Sequence, residues 1–275
     1  MSCEVCQKLW ERFLDETGAS CFVLWTFGTT LFSLLVVVVV AGLFMFMDVT
    51  NLPKSMRKYK IQPGTNEPLT SEQLRKVVKT AFINMVLVGI PTLACFHKFS
   101  SITGRLPDLR ILPTFIEILY TIPAGLLGFE FFFYYSHRLF HSKYLYKSFH
   151  KKHHEWTSPV ALAAVYSHPL EHVICSMIPL YLGVWLTKAH LISAWVWVAI
   201  ALTGTLHDHS GYHLPFISSS EAHDFHHLKF NQFYGVLGFL DWLHGTDDLF
   251  RQSKSSKRHR NLLGTRSARE VFPDD

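Results

Sequence analysis

The chain has 275 residues, of which 49% are hydrophobic and 15% are aromatic, and its formal net charge is +5. Its mean hydropathy of +0.17 is high for a soluble domain and directs attention to membrane segments. The basic residues lie in loops and near the C-terminus without forming a long arm, which argues against nucleic acid as a partner and favours an anionic membrane face. Five scattered cysteines do not suggest a disulfide framework and indicate a reducing compartment.

Apolar runs along the chain predict about four to five membrane helices. Residues 22–47 carry no charge over 26 positions, and a spanning helix needs roughly 20. Two further runs, residues 80–96 and residues 111–135, are shorter or contain an acidic residue. Residues 173–187 and 191–206 predict a two-helix hairpin that crosses the membrane and returns.

The distribution of basic residues predicts the orientation of these helices. Residues 48–79 contain seven Lys and Arg residues, against three in residues 97–110, so the first loop is expected on the cytosolic side. Counting crossings from there places all histidine-rich segments on that same side. We therefore expect an all-α integral membrane bundle with a cytosolic, histidine-rich helical cap. Its parts would be an N-terminal segment 1–21, a membrane-embedded domain 22–250 and a basic, mobile C-terminal tail 251–275.

Histidines recur at helical spacing in four places: His137 and His141; His150, His153 and His154; His209 and His213; His223, His226 and His227. Residues three and four apart on a helix lie on one face, about 5–6 Å apart, so each set is expected to direct adjacent imidazoles toward one point. Ten histidines exceed the three or four ligands that one zinc ion needs, which indicates a site for two metal ions. Imidazole suits zinc, copper, iron and nickel, so two iron ions that bind dioxygen and two zinc ions both remain open.

Acidic residues near these histidines are candidates for orienting the imidazole rings. Metal-bound imidazoles usually donate their second ring nitrogen to a carboxylate or a carbonyl. Glu130 precedes His137 by seven residues, which is two helical turns, and is the first candidate. Asp208, Asp224, Glu171 and Asp241 are weaker candidates, and His168 is expected to have a hydrogen-bonding or substrate-facing role. No catalytic side chain is expected beyond the metal centre itself.

The motifs HRLFH (137–141), HKKHH (150–154) and HDFHH (223–227) resemble the three histidine boxes of the sterol desaturase and fatty acid hydroxylase superfamily. RKYKIQP (57–63), YSHPLE (166–171), DHSGYHLP (208–215) and HGTD (244–247) are similar to its C4-methylsterol oxidase branch. The resemblance covers residues 50–250 and implies that the eight box histidines and His209 are metal ligands. His213, Phe233 and His244 depart from the sterol oxidases, which puts the role of His213 and the identity of the substrate in doubt.

The resemblance implies an enzyme of the endoplasmic reticulum membrane with a non-haem di-iron centre on the cytosolic side. Such an enzyme uses dioxygen and takes electrons from NAD(P)H through cytochrome b5 and its reductase. We therefore expect oxidation of a sterol, at a C4-methyl group, in sterol biosynthesis. One alternative is a fatty acyl or sphingolipid hydroxylase with the same two iron ions.

A second alternative is a membrane protein that binds or transports zinc without redox chemistry. A transporter is expected to bury its ionisable ligands within the spans, whereas these histidines follow the spans, which favours the oxygenase. A regulatory relative with an impaired site is disfavoured because all three histidine boxes are intact.

Overall fold

The computed structural model describes residues 4–273, so residues 1–3 of the expected N-terminal segment and residues 274–275 of the expected tail lie outside the described residues. Helix α1 spans Glu4–Thr17. Five helices that are long and apolar enough to cross a membrane follow: α2 (Cys21–Thr50), α3 (Ser71–Ile102), α4 (Phe115–Phe140), α5 (Pro169–Thr187) and α6 (Leu191–Asp208). No β-strand occurs between residues 4 and 273. The all-α bundle is confirmed, and the chain is a multi-pass membrane protein.

Shorter helices follow α6 and lie in the polar part of the chain: α7 (Glu221–Lys229), α8 (Phe239–His244), α9 (Asp248–Arg251), α10 (Lys254–Arg258) and α11 (Ala268–Val271). The connection between α4 and α5, residues 141–168, contains only π and 3₁₀ turns. It adjoins residues 209–273 at one end of the bundle and forms with them a cap that carries the histidine motifs.

Helix α3 begins nine residues before the apolar run that predicted it. Thr70 and Gln73 form a capping box, in which each side chain binds the backbone of the other residue. This pair satisfies backbone donors that would otherwise be free at a helix start. The polar stretch from Ser71 is therefore helical, although hydropathy alone does not show it.

Helices α4 and α5 approach each other closely through small residues. A Cβ atom on Gly183 would overlap the carbonyl of Ala124, and a Cβ atom on Gly125 would lie within 2.5 Å of the Trp197 ring on α6. Small residues at helix interfaces let the backbones pack without intervening side chains. This contact packs the first half of α4 against the last turns of α5.

The loop between α2 and α3 packs on the histidine end of the bundle. Backbone hydrogen bonds join Ile61 to the Gly211 carbonyl (3.0 Å) and His213 to the Tyr59 carbonyl (2.8 Å). Below them, Lys60 Nζ lies 2.6 Å from Asp48 Oδ1, and both side chains are buried. The predicted placement of this loop beside the histidine motifs is consistent with these contacts, since both lie at the same end of α2 and α6.

The C-terminal segment packs on this same loop. The hydroxyl of Tyr59 and the ammonium of Lys58 both donate to the Thr265 carbonyl, each at 2.7 Å, and the Phe216 amide donates to the Leu262 carbonyl at 2.8 Å. The described part of the expected tail, up to residue 273, is thus packed and partly helical, which differs from the mobile tail expected from its charge. Its backbone acceptors, which composition does not reveal, account for the difference.

Candidate metal centre

Nine of the ten histidines predicted as ligands converge in two groups. The first group consists of His137, His141, His150, His154 and His226, and the second consists of His153, His209, His223 and His227. In each group the candidate ligand nitrogens lie within 4.8 Å of one another. The groups adjoin, because the ring centroids of His154 and His227 are 4.8 Å apart. The structure therefore brings together two neighbouring sets of imidazole nitrogens.

The two groups do not follow the three sequence motifs. Histidines four residues apart share a group, whereas His153 and His226, each three residues after the start of its motif, join the opposite group. The third and the fourth residue after a given position lie about 100° apart around a helix axis. Their side chains can therefore extend into different groups. In the motif that contains His153 the backbone is not α-helical at all, since a π turn ends at His150 and a 3₁₀ turn begins at His153. The expectation that each motif faces a single point does not hold.

The ends of two membrane helices and one cap helix position most of the rings. His137 lies in the last turn of α4, and His141 is the residue that ends it. His209 directly follows α6. Helix α7 carries three histidines. The residue that follows it, Phe230, adopts a left-handed conformation (φ 66°). The site is therefore assembled where rigid helices emerge from the apolar bundle.

Most rings are oriented through Nδ1, the nitrogen that faces away from the group. Nδ1 of His137 lies 2.8 Å from the Tyr234 carbonyl oxygen, and Nδ1 of His226 lies 2.7 Å from that of Gln232. Nδ1 likewise bonds to a backbone carbonyl in three more rings: His153 to Tyr166, His209 to Thr205 and His227 to Trp156. A carbonyl only accepts hydrogen bonds, so these rings carry a proton on Nδ1 and direct the lone pair of Nε2 into the group.

The inward nitrogens are spaced like ligands of a common ion. Nε2 of His150 lies 2.8 Å from Nε2 of His141 and 3.0 Å from Nε2 of His154. In the second group, Nε2 of His223 lies 2.9 Å from Nε2 of His209. Two nitrogens bound at roughly 2.1 Å to one ion at right or tetrahedral angles are about 3.0–3.4 Å apart. Lone pairs this close repel each other unless a metal ion or a shared proton lies between them.

Two further observations show that the site fits a metal. Nε2 of His226 and Nε2 of His227 are buried and have no hydrogen-bond partner among the described residues, which is costly unless a cation occupies the site. Burial lowers the pKa of His153 to about 4 and that of His226 to about 3. Both rings are therefore neutral at physiological pH, as metal binding requires.

His213, the tenth predicted ligand, belongs to neither group. Its Nε2 lies 3.0 Å from the Arg260 carbonyl, and its Nδ1 lies 3.4 Å from a Glu221 carboxylate oxygen. The spacing from His209 resembles a helix, but α6 ends at Asp208 and Gly211 has a left-handed φ of 72°. The chain turns away here, so the structure does not bring His213 into either group.

Among residues 4–273, four of the six candidates for orienting a ring make no hydrogen bond to the nine histidines in the structure: Glu130, Asp208, Asp224 and His168. Asp241 makes none either. His168 accepts a bond from the Leu170 amide and caps the start of α5, and Asp224 accepts one from Gln62. Asp208 lies on the wall of the cavity described below. The carboxylate that does contact a ring is Glu171, at 2.9 Å from His150 Nδ1, which the sequence indicated only weakly. The five carbonyl acceptors have no sequence signature, since every residue has a carbonyl.

Glu130 acts on the backbone instead of on a ring. Its carboxylate accepts hydrogen bonds from the amides of Val236 (2.8 Å) and Leu237 (2.9 Å). The carboxylate of Asp241 accepts from the two preceding amides, residues 234 and 235, at 2.7 Å each. Two buried carboxylates thus bind the backbone amides of residues 234–237. The first of these residues, Tyr234, also has the carbonyl that accepts a hydrogen bond from His137. Glu130 therefore contributes to the site through the loop that carries Tyr234.

An apolar cavity extends from the histidines into the membrane helices. Its wall includes rings of both groups, among them His137 and His209, and residues from each of α2 to α6. Glu171 and Tyr181 both line it and are ten residues apart on α5, so the cavity is about 15 Å long. Its surface is mostly apolar away from the histidines, as Leu93, Phe129 and Leu202 illustrate. This shape suits an elongated lipid with one end at the histidines.

Comparison with known proteins identifies relatives that align with most of the chain. A family model described as fatty acid hydroxylase matches residues 122–246. The chain is 42% identical over 268 residues to fatty acid hydroxylase domain-containing protein 2 of Macaca fascicularis, an alignment that covers 98% of this chain and 80% of that protein.

Two more distant relatives carry names that refer to different lipids. Fatty acid hydroxylase ahd1 of Mycosarcoma maydis is 31% identical over 212 residues, covering 77% of this chain and 55% of that protein. Methylsterol monooxygenase 1-1 of Arabidopsis thaliana is 34% identical over 214 residues, covering 72% of this chain and 69% of that protein. No solved structure matches the chain.

Proposed function

This chain belongs to the fatty acid hydroxylase family, and from that premise we propose that it is a membrane-bound, oxygen-dependent oxidoreductase that oxidises a sterol at a C4-methyl group. One observation carries the proposal: two adjoining groups of inward-facing imidazole nitrogens lie at the end of an apolar cavity among the membrane helices. A relative named as a methylsterol monooxygenase supports the choice of substrate.

Two non-haem iron ions are the proposed cofactor, one held by each group. The first group offers five nitrogens and the second offers four, and neutral imidazole is a suitable ligand for iron. When bound, such a centre supplies the reduction of dioxygen and the oxidation of a C–H bond. The hydrogen bonds at Nδ1 fix six of the nine rings before metal arrives, which raises the affinity for the ion.

The cavity holds the lipid and excludes water from the site. The ring of Phe133 stacks on His137 with centroids 4.7 Å apart, so an aromatic wall adjoins the first group. A C4-methylsterol carries a hydroxyl on the carbon next to the methyl-bearing one, and this hydroxyl must lie near the histidines. Asp208, which lines the cavity beside His209, is the acceptor that we propose for it. A bound lipid displaces water and limits side reactions at the metal centre.

We propose that electrons come from NAD(P)H through cytochrome b5 and its reductase, on the cytosolic side of the endoplasmic reticulum membrane. The loop that follows α2 carries exposed basic residues, such as Lys54 and Arg57, at the histidine end of the bundle. Basic residues collect on cytosolic loops, and they complement an acidic protein donor. These two arguments support the orientation and the class of donor.

The parts of the chain follow from the same proposal. Residues 22–250 form the catalytic domain, preceded by the N-terminal segment 1–21. Residues 251–275 form a basic C-terminal segment, whose described part packs beside the loop that follows α2.

The experiment counts the metal in the purified protein and follows conversion of a 4-methylsterol in lipid nanodiscs. We expect iron, and NADH- and dioxygen-dependent conversion that requires cytochrome b5. His153→Ala tests the second group, and His213→Ala is the matched control, because both residues are buried histidines and only His153 belongs to a group.

Three results would contradict the proposal in different ways. Zinc as the sole metal in active protein would refute the iron centre. Unchanged turnover in His153→Ala would refute the role of the second group. Conversion of fatty acyl or sphingolipid chains but not of sterols would select the family's other substrate class, to which the name of one relative refers.

A further inference from the structure

Residues 236–243, called here the interface segment, present an apolar surface that no other part of residues 4–273 covers. The side chains of Val236, Leu237, Phe239, Trp242 and Leu243 are each 40–60% exposed. Single exposed apolar residues are ordinary on a protein surface, but five within eight residues form a patch that indicates a binding surface. The interface segment therefore has an apolar partner.

The patch is continuous with the surface that α4 presents to lipid. Leu127, Phe131, Tyr135 and Leu139 follow one another at intervals of four and are all exposed, which is the stripe of a helix that faces a bilayer. The hydroxyl of Tyr135 lies 3.1 Å from Nε2 of His244, the last residue of α8. The interface segment thus adjoins the lipid-facing stripe near the end of α4, where that helix leaves the membrane.

The interface segment also forms part of the cavity wall. Val236 and Leu237 line the cavity together with Phe133 of α4, and the two residues are 40% and 50% exposed. The wall of the cavity therefore includes residues of the exposed interface segment.

Two buried carboxylates hold this part of the cavity wall in place. Glu130 and Asp241 together accept hydrogen bonds from the amides of residues 234–237. Neither carboxylate pairs with a Lys or Arg side chain in the described residues. Asp241 also accepts a hydrogen bond from the Thr246 hydroxyl, and the other hydrogen bonds that the two carboxylates accept come from the backbone of this turn. The hydrogen bonds to Glu130 hold the backbone of Val236 and Leu237 against α4.

We propose that the interface segment inserts into the membrane leaflet on the histidine side, and that Val236 and Leu237 form the doorway through which a membrane lipid enters the cavity. The doorway rests on the proposed function, because it takes the cavity to be a lipid site. The insertion itself does not depend on any reaction and is tested separately.

Insertion is tested with single cysteines that carry an environment-sensitive fluorophore. The protein is reconstituted in phosphatidylcholine vesicles after its label-reactive native cysteines are replaced by serine. Trp242→Cys reports on the interface segment, and Leu263→Cys is the matched control, since Leu263 is an apolar residue that is 85% exposed on the C-terminal segment. Lipids with brominated acyl chains are expected to quench the label at position 242 and not the one at position 263. Equal quenching at both positions would overturn the insertion.

The doorway is tested by blocking it. Leu237→Cys and, as its control, Trp242→Cys are each reacted with the same bulky maleimide. Both proteins are then incubated briefly with a photoreactive 4-methylsterol or a photoreactive fatty acid, and crosslinks to peptides that line the cavity are counted. We expect the modified Leu237→Cys protein to lose crosslinking several-fold, and the modified Trp242→Cys protein to retain it. Equal crosslinking in both would overturn the doorway.

The two probes separate this proposal from the proposed function. Crosslinking of the fatty acid but not of the sterol, with the same dependence on position 237, supports the doorway and contradicts the C4-methylsterol substrate. Absence of crosslinks to the cavity from either probe in the unmodified protein would overturn both proposals.

Discussion

Double substitutions in α7 test the assignment of the histidines to two groups. His223 and His227 belong to the second group, whereas the adjacent pair His226 and His227 contains one residue of each group. The variants His223→Ala/His227→Ala and His226→Ala/His227→Ala each remove two imidazoles from the same helix. The first variant leaves the second group with two of its four nitrogens and the first group intact. The second leaves four nitrogens in the first group and three in the second.

The expected metal-binding curves differ in shape. Loss of a hydrogen-bond partner of a ligand weakens metal binding by about 10–100-fold, which is about 1.4–2.8 kcal/mol, and loss of the ligand itself is expected to cost at least as much. His223→Ala/His227→Ala should therefore retain one ion at the wild-type affinity and lose the other. His226→Ala/His227→Ala should retain no ion at the wild-type affinity, because both groups are weakened.

Titration with a competing chelator, followed by elemental analysis, measures both curves, and circular dichroism controls for folding. Identical curves from two folded variants would refute the division into two groups.

Three further predictions follow from the same contacts. Glu171→Gln keeps the size of the side chain that binds a ring of the first group but removes its charge, and is expected to weaken metal binding about 10–100-fold in chelator competition; unchanged binding would show that the bond does not orient the ring. Gly235→Ala would place a Cβ atom 2.9 Å from oxygens of two carboxylates and is expected to destabilise the protein by about 1–3 kcal/mol in denaturant unfolding, whereas Gly42→Ala, with no atom within 4 Å of its Cβ, should not. In the metal-free protein, burial lowers the pKa of His226 from 6.5 to about 3, so below pH 6.5 the unfolded chain binds a proton that the folded chain does not bind. The free energy of unfolding should therefore fall from pH 6.5 toward pH 3 and be independent of this group above pH 6.5. Thermal unfolding at several pH values tests this, and a His226→Ala variant with the same acid sensitivity would contradict it.

The membrane helices were predictable because they depend on a property that is summed along the chain. A long run of residues without charge indicates a span whatever their order, so α2 and the hairpin of α5 and α6 agree with the apolar runs. The start of α3 was not predictable from hydropathy, because it depends on two side chains, Thr70 and Gln73. The packing of the C-terminal segment depends on backbone carbonyls, such as that of Thr265, which no residue type indicates.

The candidate site was predictable as a set of residues but not as an arrangement. The helical spacing of the histidines predicted all nine that converge, since repeated histidines at helical intervals are rare by chance. It could not show that His153 and His226 cross to the opposite group, because that depends on how separate segments meet in space. It also included His213, since spacing alone does not reveal the turn at Gly211.

The crossing of His153 and His226 between the groups determines when the site is complete during synthesis. The first group draws on residues 137–154 and on residue 226, and the second draws on residue 153 and on residues 209–227. Neither set of ligands exists until the ribosome has passed residue 226, when all five membrane helices have already been made. A chain in the course of insertion therefore exposes histidines but has no finished site for an ion. Ions bound in the completed groups would join two parts of the chain that the last helical hairpin separates.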